Sequence, residues 1–176
     1  MNDDLMTIDV TRALGIPGWM TRADLEWLAW QARRKACIVE VGACQGRSTR
    51  ALADHCAGVV YAVDPWHGDG GSWRIFRQHL ADHLEAGRVV AVYESSSIAL
   101  PRLAAQRGRV ADMVFLAGLP GCESCRKDVA LAVPLLRPGG LLAGRRCDRW
   151  PHEARAGERC VTGSPPASDA VWWMCV

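Results

Sequence analysis

No apolar run approaches the ~18 residues that a bilayer-spanning helix needs, although 49% of the 176 residues are hydrophobic. The opening MNDDLMTIDV lacks the basic-then-apolar pattern of a secretory signal. The expectation is therefore a cytoplasmic chain without a membrane partner. Excess charge is missing too: a formal net charge of +2 argues against nucleic acid as a partner. The basic residues are scattered, apart from a modest cluster at Arg145, Arg146 and Arg149. That cluster reads either as a solvated loop or as a contact for an acidic substrate. No internal repeat is visible, and the length suits one domain, able to bury roughly 70% of its unfolded surface. Plentiful instead are eight cysteines and eight tryptophans. With no export signal, the cysteines read as reduced and partly buried small hydrophobes, not as a disulfide framework.

The informative stretch is IVEVGACQGRST, residues 38–49. Cys37–Val41 is a β-branched apolar run that stops at Gly42. Gly42 and Gly46 bracket a tight loop, and Ser48–Thr49 lead into a helical pattern. Strand, glycine loop and helix together present backbone N–H groups to a ligand. A second run, Val59–Val63, ends at Asp64, placed to accept hydrogen bonds from ribose hydroxyls at the tip of the next parallel strand. A dinucleotide fingerprint needs glycine at the first, third and sixth loop positions. Here those positions hold Gly42, Cys44 and Arg47. Glu40 is expected to face the ligand, where a carboxylate repels pyrophosphate and favours a cation. A nucleoside carrying positive charge fits this loop better than one carrying phosphate.

E-V-G-x-x-x-G-R-S-T followed by V-V-Y-A-V-D resembles the cofactor half of class I S-adenosylmethionine-dependent methyltransferases. The stretch ADMVFLAGLPGCESCRKDVALAVPLLRPGGLLAG (111–144) is similar to the second half of small O-methyltransferase-like members. The resemblance covers about residues 36–147. It implies a Rossmann-like α/β fold: a mostly parallel seven-stranded sheet, helices on both faces and a C-terminal antiparallel hairpin. It implies S-adenosylmethionine as cofactor, held by Glu40, Gly42, Ala43, Gly46, Ser48, Asp64, Pro65, Trp66 and Ser96, and methyl transfer to a small-molecule acceptor. Trp66 is expected either to cover the adenine or to act as a capping core aromatic. The end of the third strand, Glu94–Ser96, supplies adenine contacts in such relatives; here its serines also read as a helix N-cap.

Along the chain, a single domain divides into an N-terminal helical segment (1–35), an α/β core (36–146) and a hairpin region (147–176). Thr21 reads as an N-cap with Asp24 completing a capping box. The helix after it carries Leu25, Leu28 and Ala32 inward, widened by Trp27 and Trp30, and is expected to help roof the cofactor site. Further helices are expected over 48–56, 73–85, 98–107 and 123–136, and strands over 89–93, 112–117 and 141–143, with RPGG (137–140) as a turn. Strands alternating with helices call for a parallel sheet with right-handed crossovers. Cys160–Thr162 and Val171–Val176 are expected to pair as the hairpin. Trp172 and Trp173 then point to opposite faces, and a homodimer edge is one reading of the outer ring.

The catalytic side departs from the resembled family. Metal-dependent members carry aspartate after the fourth strand, often as Asp-His, and His-Asp after the fifth. This chain has Ala117-Gly118-Leu119-Pro120 and Arg145-Arg146. Divalent cations need several oxygen ligands, so no metal is expected there. Another base is then needed for an unactivated hydroxyl; His67 is the nearest candidate and His152 a weaker one. Cys122-Glu123-Ser124-Cys125 reads as structural, or with Cys147 and Cys160 as a zinc site, or as a redox pair. Two rivals to a methyltransferase follow: an inactive cofactor-binding module serving as a regulatory or assembly subunit, and a zinc or thiol-redox protein using Cys122 and Cys125.

Overall fold

A computed structural model describes residues 8–67, 71–118, 122–145 and 171–176. The first described element is a single helical turn, α1 (Thr11–Leu14), where no periodicity is evident in the sequence, and α2 (Arg22–Ala32) follows it. The capping box forms as expected: Thr21 accepts from the Asp24 amide, and Asp24 accepts from the Thr21 amide at 2.8 Å. Leu25, Leu28, Ala29 and Ala32 are buried, and α2 packs on α3 (Arg47–His55). Trp30, expected to widen that face, is instead 53% exposed, with the Arg33 guanidinium 4.9 Å from its ring centre. At 100° per residue it falls outside the stripe that Leu25, Leu28 and Ala32 define.

The first two strands, β1 (Cys37–Val41) and β2 (Val59–Val63), have the bounds expected from the sequence. The helix expected over 73–85 is divided into α4 (Gly71–His79) and α5 (Ala81–Glu85), because Leu80 leaves helical backbone at φ −111°, ψ 13°. Then follow β3 (Val89–Val92), α6 (Ser96–Arg107), β4 (Ala111–Leu116), α7 (Cys122–Ala132) with a 3₁₀ turn at Val133–Leu135, β5 (Leu136–Arg145) and β6 (Val171–Cys175). RPGG is a bulge inside β5 and not a turn before it. Leu136 pairs with Ala111, the register then shifts, and pairing resumes at Leu141 with Met113. Gly139 at φ +77° and Gly140 exchange backbone hydrogen bonds with Val176, so the bulged peptides stay partnered.

Among the described residues the sheet has six strands in the order β3-β2-β1-β4-β5-β6. The first five are parallel, and β6 runs antiparallel against β5. The expected seven-stranded sheet with a C-terminal hairpin is thus corrected. The last strand satisfies its ladder on β5 across the sheet, while Cys160–Thr162 lies outside the described residues. The inner strands β1, β2, β4 and β5 are covered on both faces, whereas Val90 on the edge strand β3 is 39% exposed. Ile38, Ala62, Met113 and Phe115 join α2, α3 and α4 in one core, and Val39, Val63, Val114 and Leu116 join α6 and the 3₁₀ turn in the other. No described helix is long and apolar enough to cross a membrane.

Candidate functional site

Chain direction reverses between β1 and β4: successive crossovers lead from β1 outward to β2 and β3, and then β4 returns to the other side of β1. In open parallel sheets, the crevice beyond the carboxyl ends of strands at such a switch point is where ligands bind. The glycine loop, 42–46, lies there. Gly42 (φ +87°) donates to the Val63 carbonyl at 2.8 Å and packs against the β4 exit. A Cβ on it would stand 2.7 Å from the Gly118 nitrogen. Gly46 (φ +95°) caps α3, and a Cβ there would run into Leu80 and Phe76. Both glycines are therefore demanded by packing within the domain as well as by backbone conformation.

The loop is held from several sides. The Cys44 N–H donates to Asp64 Oδ2 at 2.9 Å, and the Trp66 N–H donates to Asp64 Oδ1 at 2.7 Å. Trp66 Nε1–H donates to the Cys44 carbonyl at 2.7 Å, and His79 Nδ1 lies 2.9 Å from the Gln45 carbonyl. Asp64 is only partly buried, so its carboxylate is aimed by two amides and keeps accepting capacity for further donors. Arg47, the first residue of α3, reaches away from the loop and donates to the Ile16 and Met20 carbonyls at 2.6 and 2.7 Å. It ties the N-terminal segment to the head of that helix.

Two of the anticipated site residues turn inward. Glu40 is 0% exposed and does not face a ligand. Its two oxygens accept from Ser48 Oγ and Thr49 Oγ1, both at 2.5 Å. Burial pushes its carboxyl up to about 7 from an ordinary 4.5, against the two hydroxyl hydrogen bonds; nearby Asp64 raises it further. The reason for the miss is geometric: on β1, Glu40 shares the face of Ile38, which α3 covers. Ser48 is correspondingly engaged with Glu40. Trp66 is the second: at 3% exposure, with Trp73 and Phe76 ring centres 4.8 and 4.9 Å away, it is a core aromatic and not an adenine cover. Tyr93 Oη donates to the Trp66 carbonyl at 3.1 Å, closing the cluster. The Ala43 side chain is buried in the core. Pro65 is half-buried and His67 exposed.

At the end of β3, Glu94 accepts from Arg102 Nε at 3.1 Å and Ser95 Oγ meets Ser97 Oγ at 2.9 Å. Ser96 hydrogen-bonds Asp128, whose carboxyl is raised by burial on α7. Asp128 Oδ2 would stand 3.8 Å from a Cβ on Gly118. It is the residue that sequence reasoning missed. The available signal was its helical spacing from Cys125 and Ala132, on the inward side of α7. Arg145 ends β5. Leu119, Pro120, Arg146, Cys147, Arg149, Trp150, His152 and Cys160 lie outside the described residues, as do the side chains of Cys122, Trp172 and Trp173. Among the described residues no three His, Cys, Asp or Glu side chains gather as a metal site.

A doubly wound parallel sheet with a glycine loop after its first strand and an amide-aimed aspartate at the tip of its second defines a nucleotide-binding α/β domain. A family model described as "Methyltransferase domain" matches residues 39–144, and the chain belongs to that family. Solved structures agree in fold. A methyltransferase from Geobacter sulfurreducens superposes with a TM-score of 0.68 at 19% identity, covering 89% of this chain and 79% of its own. An O-methyltransferase from Bacillus cereus in complex with SAH gives 0.64 at 19%, covering 81% and 69%. TomG, an O-methyltransferase from Streptomyces achromogenes involved in tomaymycin synthesis and solved with SAM, gives 0.63 at 20%, covering 78% and 62%. Against three further neighbours the chain spans only 60%, 65% and 61% of their length. Comparison with curated proteins finds no match.

Proposed function

We propose that the chain is an S-adenosylmethionine-dependent O-methyltransferase acting on a small-molecule acceptor without a divalent metal. The carrying observation is Asp64, held by the Cys44 and Trp66 amides beside the glycine loop at the switch point. Those two amides occupy one lone pair on each oxygen, and a carboxylate so placed suits the vicinal diol of a ribose. The residues present fit the cofactor: Asp64 would hold the ribose, the backbone of Gly42–Gly46 would line its amino-acid portion, and the peptides of Glu94–Ser96 would border the base. When bound, the cofactor supplies an electrophilic methyl group. The protein's contribution is alignment of that group with the acceptor and exclusion of water. Metal independence is proposed from Ala117 and Arg145-Arg146, which provide no carboxylate where metal-dependent relatives do.

Titration calorimetry with S-adenosylmethionine and its demethylated product tests the site. Asp64→Ala removes two charge-assisted hydrogen bonds to the diol, each worth about 1.5–3 kcal/mol, so affinity should fall roughly a hundredfold or more. Unchanged affinity refutes the assignment. Product release against a panel of phenols, catechols and carboxylic acids, with and without EDTA, tests the reaction; tight binding without turnover on any acceptor would leave a binding module instead.

A further inference from the structure

We propose that Glu40 is a positioning residue: from beneath the glycine loop it fixes the first turn of α3, through Ser48 and Thr49, so that the loop and Asp64 meet the cofactor in register. This rests on the function proposed above. The cap of α3 is Gly46, which has no side chain to bond the first-turn amides, and no side-chain cap forms there. The second and third helical residues, Ser48 and Thr49, each donate a hydroxyl inward to one carboxylate on β1. A negative group under the first turn also complements the positive end of the helix dipole. The loop is thus pinned at its entry by the Gly42–Val63 bond and at its exit by Glu40. The Cys44 amide links this brace to Asp64, so a displaced loop would also misdirect the ribose acceptor.

Direct contact and positioning make different demands on the ligand. Were Glu40 to bind the cofactor's amino group, its loss would affect only ligands that carry that group. A brace affects every ligand that uses the loop and Asp64. The test compares S-adenosylhomocysteine with 5′-methylthioadenosine, which lacks the amino-acid portion, on the full chain and on Glu40→Gln, Glu40→Ala and Thr49→Val. Glu40→Ala should weaken both ligands by the same factor, tenfold or more. Thr49→Val should weaken both less, and Glu40→Gln with Thr49→Val should fall short of the product of the single effects. Weakening of S-adenosylhomocysteine alone overturns the proposal, as does full additivity.

The pH profile supplies a readout that a structural role alone would not move. Protonation turns one acceptor oxygen into a donor, so one hydroxyl must reverse from donor to acceptor and both bonds lose their charge assistance. Affinity for 5′-methylthioadenosine, which is uncharged at neutral pH, should therefore fall between pH 8 and 6 in the parent and stay flatter in Glu40→Gln. The groups facing Glu40 are Asp64 at the tip of β2 and the two hydroxyls of α3; its strand neighbours Ala62 and Phe115 carry no charge. His79, which touches the loop at Gln45, is common to both proteins and cancels in the comparison. An identical slope in both overturns the proposal. If the parent binds neither ligand, the proposed function fails, and the brace is then judged by Glu40–Thr49 coupling in unfolding free energy, whose absence sinks it.

Discussion

Replacing Glu40 by glutamine should stabilise the protein at alkaline pH and not at acidic pH. The carboxyl rises from an ordinary 4.5 to about 7 in the folded protein because burial disfavours its charge more than Ser48 and Thr49 favour it. In the unfolded chain the group ionises near its ordinary value. Below that value both states hold the proton and the group contributes nothing to the pH dependence. Between the two values the folded state binds more protons, so stability falls as pH rises, with a limiting slope of about 1.4 kcal/mol per unit. Above about 7 both states are ionised and the full penalty remains, on the order of 3 kcal/mol. Glutamine never ionises, so the variant escapes this penalty. Its own mismatch with the two hydroxyls is independent of pH. Urea unfolding followed by tryptophan fluorescence at pH 5, 6, 7 and 8 should show the stability difference, variant minus parent, growing by about 2–3 kcal/mol across the series. A difference that stays flat, or that shrinks with rising pH, would refute the reasoning, for it would mean that the hydroxyls and the α3 dipole outweigh desolvation.

Three further outcomes are expected. Arg50 is 1% exposed, pairs with Asp54 within α3, and joins that helix to α5 through both oxygens of Asp82 at 2.6 and 2.8 Å. Arg50→Ala leaves carboxylates that water can reach, so it should destabilise by about 1–3 kcal/mol in urea unfolding, and Arg50→Lys should recover little because an ammonium cannot reproduce the fork. At the opposite end of the sheet, Asp112 accepts the Ala36 and Cys37 amides at 2.7 and 2.9 Å and pairs with Arg137. Asp112→Ala leaves two part-buried amides without their acceptor and should cost about 1–3 kcal/mol while leaving ligand affinity intact. Trp66→Phe keeps an aromatic ring but removes the donor to the Cys44 carbonyl; cofactor affinity should drop severalfold, whereas retained affinity would point back to a stacking role.

The elements most legible in the sequence are those with a purely local cause. Cys37–Val41 and Val59–Val63 are short runs rich in β-branched residues, ended by Gly42 and Asp64, as suits strands buried on both faces. The Thr21–Asp24 capping box is likewise written in four residues. From such runs and their alternation with helices, the sequence alone determines a parallel α/β sheet, the glycine loop after its first strand and the acid at the tip of its second. Tertiary packing decided what those residues do. Glu40 looked like a ligand group because it sits at a strand end, but the face it lies on is set by the pleat and covered by α3. Trp66 became core because Trp73 and Phe76 of α4 and Tyr93, just past β3, converge on it, contacts that only the packing of separate elements brings about. Asp128 reached Ser96 only because α7 packs on α6. Arg50 and Asp82 likewise meet because the helix over 71–85 breaks at Leu80 and turns α5 toward α3. Local propensity chooses the element, whereas the orientation of a polar side chain depends on which neighbour desolvates it, and that neighbour is supplied by the fold.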